Sequence, residues 1–121
     1  EEALKKGKEW ILTDSYIYKY FASEHTAGAS LSMLTSLIQE FPVPDFVFKL
    51  NIDVKEAAKR KSKYSRYECG AVNQCNEKQF IEFQERILES WEIFDQQSWH
   101  LIDAQAPVKQ KLAEIQNQLN I

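Results

Sequence analysis

Glycine, proline and cysteine are scarce in this chain: three, three and two residues among 121. Gly7, Gly28 and Gly70 lie far apart, so there is no Gly-x-x-x-x-Gly-Lys-Ser/Thr loop to cradle a phosphate on backbone N–H groups. Two cysteines exclude a disulfide-built framework, and a reducing cytosol is the default compartment. No apolar run reaches the roughly 18 to 20 residues of a membrane span. The opening Glu1-Glu2-Ala3-Leu4-Lys5-Lys6 has no apolar signal region. A net charge of −3 gives no general reason to bind nucleic acid. Cys69 and Cys75 have five residues between them, and His25 and His100 are remote in sequence. That set is too poor for zinc; the cysteines read as free thiols, and no protein metal site is expected. Nothing in the spacing supports a Ser-His-Asp or Cys-His nucleophile.

What is present is a globular composition, 44% apolar and 27% charged. Three short apolar runs read as strands: Trp10-Ile11-Leu12, Phe46-Val47-Phe48-Lys49-Leu50 and Trp99-His100-Leu101-Ile102. Helical spacing joins Leu31, Leu34, Ile38 and Phe41, then Phe80, Phe83, Ile87, Trp91 and Phe94, then Val108, Leu112, Ile115 and Leu119, with Pro107 suited to a first turn. Strands alternating with helices predict an α/β fold, a parallel sheet with helices on both faces. Ala3-Leu4-Lys5-Lys6-Gly7 reads as the last turn of a helix with a glycine stop. The expectation is therefore that residues 1–121 form the carboxyl-terminal part of one domain that begins further upstream.

Ligands of open parallel sheets sit beyond the carboxyl ends of the strands. Asp14, Asp53 and Asp103 follow the three apolar runs. Asp53, before Val54-Lys55-Glu56, reads as a helix N-cap. Asp14 stands in a polar and aromatic cluster, Asp14-Ser15-Tyr16 with Tyr18, Lys19 and Tyr20, where a carboxylate could hold Mg²⁺ through water or act beside an attacking phosphate. From Lys55 to Arg66 six basic residues accompany one acid, so this window carries +5 in an acidic chain. A solvated helix end is the plain reading; a local polyphosphate site is the sharper one.

These residues resemble the thymidylate kinase family. Ile11-Leu12-Thr13-Asp14-Ser15-Tyr16 is similar to its strand ending in Asp-Arg-Tyr or Asp-Arg-His. Pro42-Val43-Pro44-Asp45 resembles its Pro-x-Pro-Asp turn, and Ala57-Ala58-Lys59-Arg60 the helix that leads into its lid. Arg66-Tyr67-Glu68-Cys69-Gly70-Ala71 resembles the lid itself, placed at about 62–76, and Ile102-Asp103-Ala104 with Pro107 the loop around the adenine of ATP. The resemblance implies a P-loop kinase fold and, in the intact cytoplasmic protein, transfer of the γ-phosphoryl of ATP, with Mg²⁺, to a nucleoside monophosphate, dTMP first. It implies a homodimer through the helices after Asp14, with Leu31, Leu34, Leu37 and Ile38 as their apolar face.

By the same resemblance Asp14 and Arg66 are catalytic, and Arg60, Lys63, Asp103, Ala104 and Gln105 hold ATP, with Lys61 assisting. The acceptor falls to Ser15, Tyr16, Lys19, Ser23, Glu24, Tyr67 and Asn73. Ser15 replaces the family's phosphate-binding Arg, and Lys19, one turn on, is the compensating cation. Ser23 and Glu24 replace the aromatic and polar pair near thymine. A kinase of another deoxynucleoside or modified monophosphate, and a non-catalytic kinase-like binding module, remain alternatives.

Overall fold

The computed structural model describes residues 2–7 and 9–121; Glu1 and Lys8, both within the expected 1–121 stretch, lie outside the described residues. Helix α1 (Glu2–Lys5) is followed by Gly7 at φ 67°, the left-handed residue that stops a helix. Helix α2 spans Tyr16–Thr26 and α3 Leu31–Ile38. Strand β1 (Phe48–Asn51) leads into α4 (Val54–Lys59), whose free N–H groups at Lys55 and Glu56 donate to the Asp53 carboxylate at 2.9 and 3.1 Å. A 3₁₀ turn, Tyr67–Cys69, interrupts an irregular stretch before α5 (Glu77–Ser90). That helix opens on a capping box, in which Asn76 and Gln79 each accept from the other's backbone N–H. A second 3₁₀ turn, Trp91–Ile93, precedes β2 (His100–Asp103), and α6 (Val108–Leu119) follows Pro107.

β1 and β2 pair in parallel, Phe48 opposite His100 and Asn51 opposite Asp103. The α/β class and the last two strands agree with the sequence reading to within two residues. The first expected strand does not form. Trp10-Ile11-Leu12 is irregular, and Leu12 is 90% exposed. A strand exists only where a neighbour takes up its N–H and C=O groups, and none of the described strands lies beside this segment. His100 stacks on Phe48 at 5.2 Å, a packing role.

The tightest cluster is Val54, Ala58, Cys69 and Phe80, with Tyr64 and Cys75 against it. It fastens the irregular stretch to α4 and α5. Here the free-thiol reading is overturned: Cys69 and Cys75 form a disulfide, with Cα atoms 5.7 Å apart. Linear spacing hid this because Gly70 (φ 77°) and Ala71 (φ 60°) are both left-handed and turn the chain back on itself. A second cluster is aromatic: Tyr18 lies 5.1 Å from Phe94 and 4.7 Å from Trp99, and burial, with Tyr16 second, lifts its phenol above the usual range.

Much apolar surface stays uncovered. The chain exposes 9299 Å², against about 6,800 Å² for a compact protein of its mass. Leu50 and Leu101 on the strands, and Val108 and Leu112 on α6, are all exposed. No helix among the described residues is long and apolar enough to cross a membrane.

Candidate nucleotide site

The carboxyl ends of β1 and β2 lie side by side, and the chain turns sharply just beyond them. Asp103 Oδ1 accepts from the Gln105 N–H at 2.8 Å, and the Ala104 N–H donates to Asn51 O at 2.9 Å. The turn brings the Ala104 carbonyl to two cations: Arg60 Nη1 donates at 3.5 Å and Lys111 Nζ at 3.0 Å. Arg60 arrives as the C-cap of α4 and Lys111 from the first turns of α6. The structure thus brings Arg60, Asp103, Ala104 and Gln105 together, and Lys63, the fifth residue assigned to ATP by resemblance, is not among them. Lys111 was missed; its signal is helical phase, since a residue four past Pro107 returns to the start of that helix. Asp103 itself is held in forming the turn.

The Asp14 cluster is a strained corner. Ser15 has φ 61° and Tyr16 φ 37°, both left-handed. The Tyr16 N–H donates to Asp14 O at 2.7 Å, a three-residue turn of the rare positive-φ kind. Ser15 Oγ donates to Asp14 Oδ1 at 3.1 Å, and the Tyr16 hydroxyl is tied to Pro42 O at 2.7 Å, so this phenol is engaged in holding the corner. Lys19 and Ser23, four residues apart, share one face of α2, and Ser15 is the residue that caps its start. Asp14, Lys19 and Glu24 are exposed and Ser23 is half-buried. Backbone strain of about 1–3 kcal/mol per residue persists where surrounding structure enforces it, and it gathers at functional sites.

The third group lies between α4 and α5. Arg66 Nη2 donates to Ala71 O at 3.2 Å, and no hydrogen bond joins it to the other candidates among the described residues. Tyr67 is 86% exposed; Lys63 and Asn73 are also exposed. Lys61 does not reach outward: its ammonium pairs with Glu68 at 2.7 Å. That bond, with the Ser65 N–H second, holds the Glu68 carboxyl below the usual range. The structure therefore shows three separate groups, and among the described residues candidates from different elements meet only at Ala104.

The family model for thymidylate kinase matches residues 1–115. The chain belongs to the thymidylate kinase family. No curated protein and no solved structure matches it. Membership makes this a partial P-loop kinase fold and sets its chemistry in the class of nucleotide monophosphate kinases, which use ATP and usually Mg²⁺.

The residues fit such a ligand in part. An exposed guanidinium beside a backbone carbonyl at the sheet's carboxyl edge suits a flat base, one face against the Arg plane and one edge on the peptide. Among the described residues no three acids, cysteines or histidines gather. A Mg²⁺ bound mainly by phosphate and water needs only one or two carboxylates, and Asp14 is exposed to serve.

Proposed function

We propose that the intact protein transfers the γ-phosphoryl of ATP to a nucleoside monophosphate, with dTMP as the first candidate acceptor and dTDP as product. The observation that carries this reading is the meeting of Arg60, Ala104 and Lys111 beyond the carboxyl ends of two parallel strands in a thymidylate kinase-family chain. Mg-ATP supplies the phosphoryl group and neutralises part of its charge. Arg60 stacks on the adenine, and the Asp103-Ala104-Gln105 turn presents backbone groups to its edge. Asp14 stands beside the acceptor phosphate, and Lys19 supplies the cation that Ser15 lacks. Arg66 meets charge on the moving phosphoryl group, and Lys63 helps to hold ATP. Tyr16 positions the corner, while Ser23, Glu24, Tyr67 and Asn73 shape the acceptor's base site.

Residues outside this chain supply the phosphate-cradling loop. The uncovered surface of about 2,500 Å² beyond a compact chain, the open sheet edges and the unpaired Trp10–Leu12 segment support that reading. The protein acts in the cytoplasm as a homodimer through α2 and α3. Leu34 and Ile38 turn inward, while Leu31, Met33 and Leu37 stay outward with Tyr20. Light scattering at micromolar concentration reads the dimer directly, and a clean monomer removes it.

The deciding experiment is ADP formation by the full-length protein with Mg-ATP and a panel of deoxynucleoside and modified monophosphates. Turnover with dTMP above the others supports the reading. A different preferred acceptor favours the second one, which rests on Ser15, Ser23 and Glu24 standing at the acceptor positions. No turnover with any acceptor leaves a binding module.

A further inference from the structure

The Cys69–Cys75 disulfide closes a ring that contains Ala71, and Ala71 is the residue that holds Arg66. The Ala71 N–H donates to Arg66 O at 2.6 Å, and Arg66 Nη2 donates back to Ala71 O at 3.2 Å. Ala71 is left-handed at φ 60° although it carries a Cβ, which disfavours that conformation. One end of the ring is pinned, because Cys69 is 3% exposed between Val54, Ala58 and Phe80. The other end, Cys75, is half-buried and adjoins the cap of α5. A free chain would relax Ala71; the closed ring keeps it, and so keeps Arg66 folded back on its own segment.

We propose that Cys69 and Cys75 are a thiol–disulfide switch that decides whether Arg66 is parked on Ala71 or free to reach a bound phosphate. The consequence for phosphotransfer rests on the kinase reading above; the parking of Arg66 does not. The reductant is a dithiol, small or protein-borne. Its thiolate attacks the Cys75 sulfur, the accessible one, and forms a mixed disulfide as the S–S bond breaks. Cys69 leaves as thiolate and takes a proton. The reductant's second thiolate then attacks its own linked sulfur and expels Cys75, so two electrons pass to the protein and the dithiol becomes a disulfide. An oxidised dithiol runs the sequence backwards. Both states suit the site: Asn76 O lies 3.8 Å from the Cys69 sulfur and Ser65 O 3.0 Å from that of Cys75, each placed to accept a thiol hydrogen after reduction. In a reducing compartment a disulfide persists only as a transient or sensing bond, which is the role assigned here.

The test uses the full-length protein equilibrated in reduced or oxidised dithiothreitol, with Cys75→Ser alongside. Mass analysis after alkylation reports the bond, amide hydrogen exchange reports residues 66–76, and ADP formation reports turnover. Reduction is expected to speed exchange at the Ala71 amide at least about tenfold, and to raise turnover by a similar factor or more, because a freed arginine acts on the transferring phosphoryl. Cys75→Ser should behave as the reduced protein in both buffers. Exchange at Ala71 that is equal in the two states overturns the switch, as does a Cys75→Ser protein that still responds to oxidant. Exchange that responds while neither form turns over any acceptor supports the switch and fails the kinase reading alone.

Discussion

Arg66 and Ala71 bond to each other twice, backbone N–H to carbonyl at 2.6 Å and guanidinium to carbonyl at 3.2 Å. The Arg66 guanidinium is thus engaged within its own segment, and its action on a ligand requires that the second bond break. An arginine that meets charge only in the transition state acts on turnover, so Arg66→Ala should lower kcat by roughly 10³ or more while nucleotide binding largely survives. Arg66→Lys, lacking the planar fork, should recover little of it. Steady-state kinetics with separate titration of nucleotide affinity measures the split.

Lys19 lies in α2, four residues past Ser15, the residue that caps its start. A cation that only holds the acceptor phosphate acts on its KM. Lys19→Ala should therefore raise the monophosphate KM about tenfold or more, with ATP affinity nearly unchanged. Ser15→Arg in the Lys19→Ala background should restore part of the loss. An unchanged KM in Lys19→Ala would place the phosphate elsewhere.

Gly70 serves two needs at once. Its φ is 77°, and a Cβ there would meet Phe83 Cδ2 at 2.8 Å. Gly70→Ala should cost about 2–3 kcal/mol, the left-handed penalty of about 1–2 plus the clash. Adding Phe83→Leu should return the steric share alone. Denaturant unfolding of the two variants separates the terms.

Glu68 is held below the usual carboxylate range, first by Lys61 and then by Ser65. A carboxyl whose folded pKa is depressed adds stability above its unfolded pKa and loses it as pH falls through the folded value. The wild type should be more stable than Glu68→Gln at neutral pH, and the two should converge below the ordinary carboxylate pKa of about 4.3. Thermal unfolding across that acid range gives the curves. A gap that stays constant with pH would mean that the pair contributes nothing through ionisation.

Legibility in the sequence followed how local each cause was. The Asp53 cap and the helices of 77–90 and 108–119 rest on contacts within a few residues, and their patterns show in the chain. Strands 48–51 and 100–103 were visible as bounded apolar runs. Trp10-Ile11-Leu12 carries the same signal, yet a strand depends on a partner that its own residues do not encode. The disulfide was hidden by two left-handed residues, one of them the alanine Ala71, which no residue type announces. Of the site, the Arg60–Ala104 meeting was legible through resemblance, while the tie from Tyr16 to Pro42 and the inward pairing of Lys61 depend on tertiary placement.

β1 meets its partner late. His100 is made about fifty residues after Phe48, several seconds at ribosomal speeds of roughly 5–20 residues per second. Through that interval the nascent run Phe46-Val47-Phe48-Lys49-Leu50 is an open edge able to associate with other copies. Lys49 stands in its middle. In the finished fold its ammonium lies 4.7 Å from the Trp91 ring centre and donates to Gln96 Oε1 at 2.9 Å, and burial holds its pKa below the usual lysine value. Burying the charge has a cost that these two contacts offset in part, while the same charge discourages edge-to-edge association of the unfinished chain. Lys49→Leu should thus keep or raise the stability of the folded protein while lowering its soluble yield during synthesis.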